Sequence, residues 1–313
     1  MKLEATARVG ALFKFTVRKA DTHEITKETG WFHNLVLNSG LDRMGVGTWV
    51  DRCMVGSGNS TPIITQTKLD SHLAQTQILV GTSSGGVQVA TLPYYWYGTC
   101  TYRFNAGVAT GTVAEVALGW GVDQCWNRSL IRDLNGSPIS LTILADEYLD
   151  VAVEIRVYPG AATEKQINVK NKNTNEILSS HSVKCMPFVR GAAYTGSVVD
   201  FRDPSDTTKT LRVYAGDIGE TNPIAVPSVQ IGTIPDVETS IVNSRTIRGM
   251  ARVASTSLNN IEHRSFAIVV KGLMSSSGPY SSGYKWEINP PITKANNKIL
   301  DYIFELSWDR YTP

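Results

Sequence analysis

Apolar and polar residues alternate with a period of two along many short stretches of this chain, and one such stretch is written twice. Residues 138–159 open with Pro138-Ile139-Ser140 and, eight residues later, run Leu149-Asp150-Val151-Ala152-Val153-Glu154-Ile155-Arg156-Val157. Residues 291–313 open with Pro291-Ile292-Thr293 and, six residues later, run Leu300-Asp301-Tyr302-Ile303-Phe304-Glu305-Leu306-Ser307-Trp308. Leu149, Asp150 and Glu154 therefore align with Leu300, Asp301 and Glu305. On an extended chain Leu149, Val151, Val153, Ile155 and Val157 share one face, and so do Leu300, Tyr302, Phe304, Leu306 and Trp308. A duplicated closing strand is the mark of a building block.

The same alternation predicts strands at 7–17, 30–37, 52–55, 112–120, 128–132 and 139–144 in the first half, and one long strand region over 87–104. In the second half it predicts strands at 177–189, 211–214, 226–231, 240–255, 263–271 and 284–288. Residues 112–120 read as the return strand of a hairpin with 87–104. Residues 38–45 read as a turn with one short helix ended by Gly45. Gly- and Ser-rich stretches at 56–62 and 81–86 read as loops, and 169–175 as a hairpin tip. Helical periodicity is weak throughout. The expectation is an all-β protein of two β-sandwich-like domains, with under about a tenth of its residues helical against a usual ~30–35%. Tyr158-Pro159-Gly160 closes the first cassette and suggests domains at 1–159 and 160–313.

Charge changes the picture by exclusion. The 313 residues carry 30 Lys and Arg against 28 Asp and Glu, with no basic run, so direct nucleic-acid binding is not expected. No apolar stretch approaches the roughly 18 residues of a membrane-spanning helix. The start, Met1-Lys2-Leu3-Glu4-Ala5-Thr6, has an acidic residue where a secretory leader needs an apolar block, so synthesis in a cytoplasm is expected. Cys53, Cys100, Cys125 and Cys185 form no paired motif and read as buried thiols.

Candidate chemistry is sparse. The five histidines show no metal-ligand spacing, and no cofactor motif or nucleophile elbow occurs. Asp146, Glu147, Asp150 and Glu154 form the densest acidic cluster. Asp150 and Glu154 lie roughly 13 Å apart along a strand, too far for a glycosidase pair, and the cluster reads as a solvated strand face. No enzyme is expected. Tyr94, Tyr95, Trp96 and Tyr97 are contiguous, so a strand places two on each face. One face reads as core and the other as a candidate subunit interface or glycan-stacking surface.

Three blocks carry a resemblance. The first is Trp31-Phe32-His33-Asn34-Leu35-Val36-Leu37-Asn38-Ser39-Gly40-Leu41-Asp42, followed by Val55-Gly56-Ser57-Gly58-Asn59-Ser60-Thr61-Pro62 and Gln66-Thr67-Lys68-Leu69. The second is 114–120 leading to Arg128-Ser129-Leu130-Ile131 and the first cassette. The third is Phe304-Glu305-Leu306-Ser307-Trp308-Asp309-Arg310. Together they resemble the virion structural proteins of tailed bacteriophages, of the tail and tail-fibre kind. They touch about a third of the chain, and 160–250 takes no part. The resemblance implies a subunit made in the bacterial cytoplasm and built into a virion, with copies of itself and other virion proteins as partners and no catalytic residues. The chain has no repetitive shaft, which directs the expectation to an adaptor, collar, baseplate or short appendage. Alternatives are a capsid or neck decoration protein, and a receptor module binding a host surface glycan through Tyr94–Tyr97.

Overall fold

The computed structural model describes residues 2–160, 162–189, 192, 196–202, 209–219, 225–273 and 282–312. The protein is all-β: strand accounts for 58% and helix for 2%. Among the described residues the single α-helix is Asn38–Arg43, where a short helix is expected from the sequence.

The longest strand, Lys2–Lys19, organises the molecule. Leu3, Ala5, Ala7, Val9, Ala11, Phe13, Phe15 and Val17 are all buried, an alternation broken only at Leu12, which is buried as well. Along one edge it pairs antiparallel with Glu147–Pro159, from Ala7 opposite Pro159 to Lys19 opposite Glu147. The other edge is shared. Residues 2–9 pair in parallel with Leu300–Arg310, and Ile25–Glu28 and Phe32–His33 take up the remainder. The two cassette strands thus flank the first strand in one sheet and run in opposite directions. That nine-stranded sheet continues outward through Thr246–Val253 to Glu238–Asn243 on one side, and through Tyr95–Phe104 to Leu79–Gln88 on the other. It draws strands from both sides of the boundary between residues 159 and 160.

Two six-stranded sheets and a two-stranded pair, Gly111–Val113 with Leu141–Ile143, complete the body among the described residues. One is built on Leu35–Val36, Asn127–Leu130, Glu115–Trp120, Arg52–Gly56 and His72–Thr76, with Gln124–Cys125 added. The other runs Thr163–Lys170, Ile177–Val189, Ser282–Thr293, Glu262–Val269, Leu211–Tyr214, Gln230–Ile234. Their inner residues, among them Cys53, Val116, Leu118, Val213, Phe266 and Trp286, join one hydrophobic cluster with the alternating residues of the nine-stranded sheet. Burial of this surface drives the fold at about 25 cal/mol per Å² of apolar area removed from water. The first strand is small at Ala5 and Ala7, where large aromatics arrive: Tyr284 donates its hydroxyl to Thr6 O at 3.0 Å and Trp286 its indole N–H to Glu4 O at 3.4 Å.

Several local expectations are corrected. Residues 87–104 are not one strand. Leu79–Gln88 and Tyr95–Phe104 form a hairpin, Val87 opposite Trp96, with the turn at 89–94. The Gly- and Ser-rich stretch 81–86 lies within that strand. Pro93, which has no N–H for a ladder, falls in the turn instead. Glu115–Trp120 does not return onto 95–104; its partners are Arg52–Gly56 and Asn127–Leu130. Residues 240–255 divide at a turn into Glu238–Asn243 and Thr246–Val253. The hairpin tip at 169–175 is present, with Asn175 in the left-handed region at φ 60°. Of the Ser- and Gly-rich stretch at 274–283, residues 274–281 lie outside the described residues.

Candidate functional site

The three blocks that carry the resemblance are distant in sequence and meet in space. Strand pairing sets Glu115 opposite Leu130 and Val116 opposite Ser129, which brings Glu115 and Arg128 together. Both side chains are fully buried, with Arg128 Nε 2.7 Å from Glu115 Oε2. The rest of the guanidinium faces the 57–71 loop, where Nη2 lies 2.7 Å from Asp70 Oδ2 and Nη1 lies 3.0 Å from Gln66 Oε1. Glu115 is saturated by donors in turn: Oε1 accepts from the amides of Gly58 at 3.0 Å and Ser71 at 2.9 Å, and Oε2 from Asp70 N at 3.1 Å. A Cβ on Gly58 would lie 2.5 Å from Glu115 Oε1, so the close approach requires glycine there. Every lone pair faces a donor, which is the condition under which a buried ion pair is tolerated. Chemically this arrangement fixes a loop.

The third block docks on the first through the helix. Trp308 donates its indole N–H to Leu41 O at 2.8 Å. Arg310 donates to Asn38 Oδ1, which also accepts from Arg245 Nη2 at 3.1 Å, and Arg245 Nε lies 2.7 Å from Asp42 Oδ1. A Cβ on Gly45 would meet the Trp308 ring at 3.0 Å, so the chain leaving the helix is fitted to that indole.

The aromatic run does not place two rings on each face, because the strand begins at Tyr95 and leaves Tyr94 in the turn. Trp96 is in the core, its ring 6.4 Å from that of Tyr284. Tyr94 is exposed in the turn, and Tyr95 and Tyr97 are half-buried on the outer face. The sequence reading missed their neighbours. Tyr95 lies 5.5 Å from Tyr158, Tyr158 stacks on Tyr311 at 3.6 Å and 12°, and the Arg156 guanidinium sits 4.3 Å from the Tyr95 ring centre. A row of rings therefore runs from Tyr97 to Tyr311 across three segments. The pairing of Tyr95–Phe104 with Glu147–Pro159 assembles it, and no local signal in the sequence does.

Of the cassette residues, the two aspartates are equivalent in their ion pairs and the two glutamates are not. Asp150 sits directly opposite Arg103 and Asp301 directly opposite Arg252. Both pairs are two-pronged, at 2.7 and 2.7 Å for Asp150 and at 2.7 and 2.9 Å for Asp301. The hydrogen bond from Arg252 holds the Asp301 carboxyl below its usual range. Glu305 lies opposite Arg248, its Oε1 2.7 Å from the guanidinium Nε, and its Oε2 lies 2.7 Å from Lys2 Nζ. Glu154 pairs with Arg156 on its own strand at 2.6 Å. Leu149 is buried and Leu300 partly so.

Glu147 corrects the reading of 146–154 as a solvated face. It is buried at 2% exposure, accepting from Leu144 N at 2.9 Å, Thr26 Oγ1 at 2.7 Å and Lys27 Nζ at 3.0 Å. Burial works against its charge, yet these hydrogen bonds outweigh it and hold the carboxyl down to about 2.

The four cysteines are buried and free, and burial pushes the Cys125 thiol up to about 12. His263 is enclosed between Tyr302 OH at 2.6 Å and Leu258 O at 3.0 Å, and His181 between Pro290 O at 2.6 Å and Ser179 Oγ at 2.7 Å. Among the described residues no three His, Cys, Asp or Glu side chains gather as a metal site, and no helix is long and apolar enough to cross a membrane.

Comparison of the chain with protein-family models, with curated proteins and with solved structures returns no match.

Proposed function

We propose that this protein is a structural subunit of a tailed-phage virion, in the tail, baseplate or fibre-attachment apparatus, and that it works by assembly. The observation carrying this reading is that the three resembling blocks, spread over residues 31–310, form one interlocked centre. The Arg128–Glu115 clamp holds the 57–71 loop, Asn38 N of the helix Asn38–Arg43 donates to Ile64 O of that loop at 2.9 Å, and the Trp308 indole of the last strand donates to Leu41 O of the helix.

Assembly needs surfaces, and the sheets offer them. Glu238–Asn243 ends the nine-stranded sheet with no further strand paired to it among the described residues. It exposes Ile241 and Val242, and its only charge is Glu238. Soluble proteins usually guard such an edge with lysine, proline or a covering segment. An unguarded edge fits a subunit that meets a neighbour, and weak contacts repeated around a closed ring add up to a stable particle.

The test is to purify particles and locate the chain by mass spectrometry and by labelling in electron microscopy. Presence at the tail or collar supports the proposal. Presence on tailless heads assigns the chain to the capsid or neck, and absence from mature particles overturns a virion role.

A further inference from the structure

The strand Thr163–Lys170 ends its six-stranded sheet, with no further strand paired to its outer side among the described residues. Six of its eight residues are exposed, and Ile167 and Val169 are half-buried against the core. Odd-numbered residues therefore face inward, and Glu164, Gln166, Asn168 and Lys170 face outward. An open row of main-chain donors and acceptors is a template for another strand. Lysine usually guards such an edge, and Lys165 and Lys170 stand here. Lys165 is already committed to Glu4, with Nζ 2.5 Å from Oε2. What remains on the edge is Glu164 near one end and Lys170 at the other.

The outward charges of this sheet alternate in sign from strand to strand. Glu287 lies directly opposite Lys184, and Lys184 directly opposite Glu164. The row stops at Glu164, whose Oε1 accepts from Ser182 Oγ at 2.5 Å. Neither Glu164 nor Lys170 has an ion-pair partner among the described residues. The next position in the row calls for a cation, and the other end of the same strand carries one.

A second copy of the chain supplies that cation. Two copies of this strand laid antiparallel about a two-fold axis keep their inward faces together only when the axis passes through a residue. An axis at Glu164, Lys165 or Lys170 sets like charges against each other, which destabilises the pair. An axis at Gln166, Asn168 or Val169 leaves Glu164 and Lys170 apart. An axis at Ile167 places Glu164 of each copy opposite Lys170 of the other and Gln166 opposite Asn168, with residues 164–170 paired throughout. The two inward Ile167 side chains then meet at the axis, and the alternating row runs on from Glu287, Lys184 and Glu164 to the Lys170 of the second copy. We infer that Thr163–Lys170 is a dimer contact, in which this strand pairs antiparallel with the same strand of a second copy about Ile167. Lys170 turns away edges that offer no carboxylate at that position. The contact uses a different edge from Glu238–Asn243 and does not rest on the virion reading.

Charge exchange in the intact protein tests the contact, read by sedimentation velocity at rising concentration. A strand pair of this length is a small interface, so the parent is expected to dimerise towards the high end of the range. Glu164→Lys and Lys170→Glu each set like charges together twice in their own dimer, and each is expected to dimerise at least about tenfold more weakly. Mixed, the two variants face each other with opposite charges at both positions and are expected to recover a dimer of parental strength. Disulfide trapping fixes the alignment. Gln166 and Asn168 are exposed and the native cysteines are buried, so Gln166→Cys and Asn168→Cys introduce the accessible thiols without burdening the fold. Under mild oxidation the two variants are expected to link to each other in a mixture, and neither to itself. The inference is overturned if the parent stays monomeric at the highest concentration reached, if Glu164→Lys dimerises as well as the parent, or if either cysteine variant links mainly to itself, which moves the axis to another residue. A chain missing from virions that still forms the 166–168 link refutes the proposed function alone. A virion subunit that fails to form it refutes this inference alone.

Discussion

Arg128 and Glu115 form an ion pair with no solvent exposure on either side chain, and both also hold the 57–71 loop, the carboxylate through main-chain amides and the guanidinium through Gln66 and Asp70. Removing one partner leaves a buried charge unmatched, which typically costs about 3–5 kcal/mol. Glu115→Ala should therefore lower stability by that order in urea denaturation. It should also release the loop, with proteolytic cleavage appearing first within 57–71. Retained resistance there would show that the loop is held by other contacts.

Asp150–Arg103 and Asp301–Arg252 share cross-strand geometry and differ in setting. The first pair is the less exposed, at 13% and 31% against 22% and 48%, and Arg103 also lies 4.3 Å over the Tyr148 ring. Solvent weakens the second pair more. Double-mutant cycles should give a coupling of about 1 kcal/mol for Asp150–Arg103 and a smaller one for Asp301–Arg252. Equal couplings would remove burial as the deciding variable.

Glu147 sets an acid dependence. Its folded-state carboxyl is held down to about 2, below the ordinary value of 4.5 that it regains on unfolding. The unfolded chain then binds more protons between these values. The stabilisation is full above about pH 5 and is lost as pH falls from 4.5 towards 2. Glu147→Gln should flatten the stability curve across that window, measured as urea midpoints from pH 2.5 to 6. An unchanged slope would assign the acid sensitivity to other carboxylates.

Lys285 sets a dependence of the same sign at alkaline pH. It is buried and donates to Ile218 O at 3.0 Å and Ala225 O at 2.8 Å. Burial and the Lys184 charge hold it down to about 8, against 10.5 for the free side chain. Between these values the unfolded chain again binds more protons, so this residue's contribution to stability rises with pH from about 8 to 10.5. The difference between the parent and Lys285→Met should grow in the parent's favour over that range. A constant difference would mean that the lysine keeps its proton in the fold.

Trp308→Phe tests the junction between the last strand and the helix. It deletes the 2.8 Å bond to Leu41 O together with the outer indole carbons that face Gly45. A loss of about 1–2 kcal/mol is expected, with faster amide exchange at 38–44. Unaltered exchange would show that the Arg245 and Arg310 contacts suffice.

Alternation by itself determined which side of each cassette strand faces the core. Leu149 to Val157 and Tyr302 to Trp308 are buried at every second residue, because a strand has no other way to separate apolar from polar side chains. Weak helical periodicity and turn residues likewise set the all-β class, the short helix at Asn38 and the hairpin tip near Asn175. Partner choice was not written locally. That both cassettes flank Lys2–Lys19, that Glu115–Trp120 pairs with Arg52–Gly56, and that Tyr95 continues into Tyr158 and Tyr311 all depend on contacts between segments far apart in the chain. Glu147 reads as a surface acid until Thr26 and Lys27 are brought over it, and Trp31 and Asn34 read as strand residues until the 132–136 turn faces them. Only the tertiary structure decides such things, since a residue's own neighbours fix its face, while the free energy of burying that face is settled by whatever long-range partner covers it.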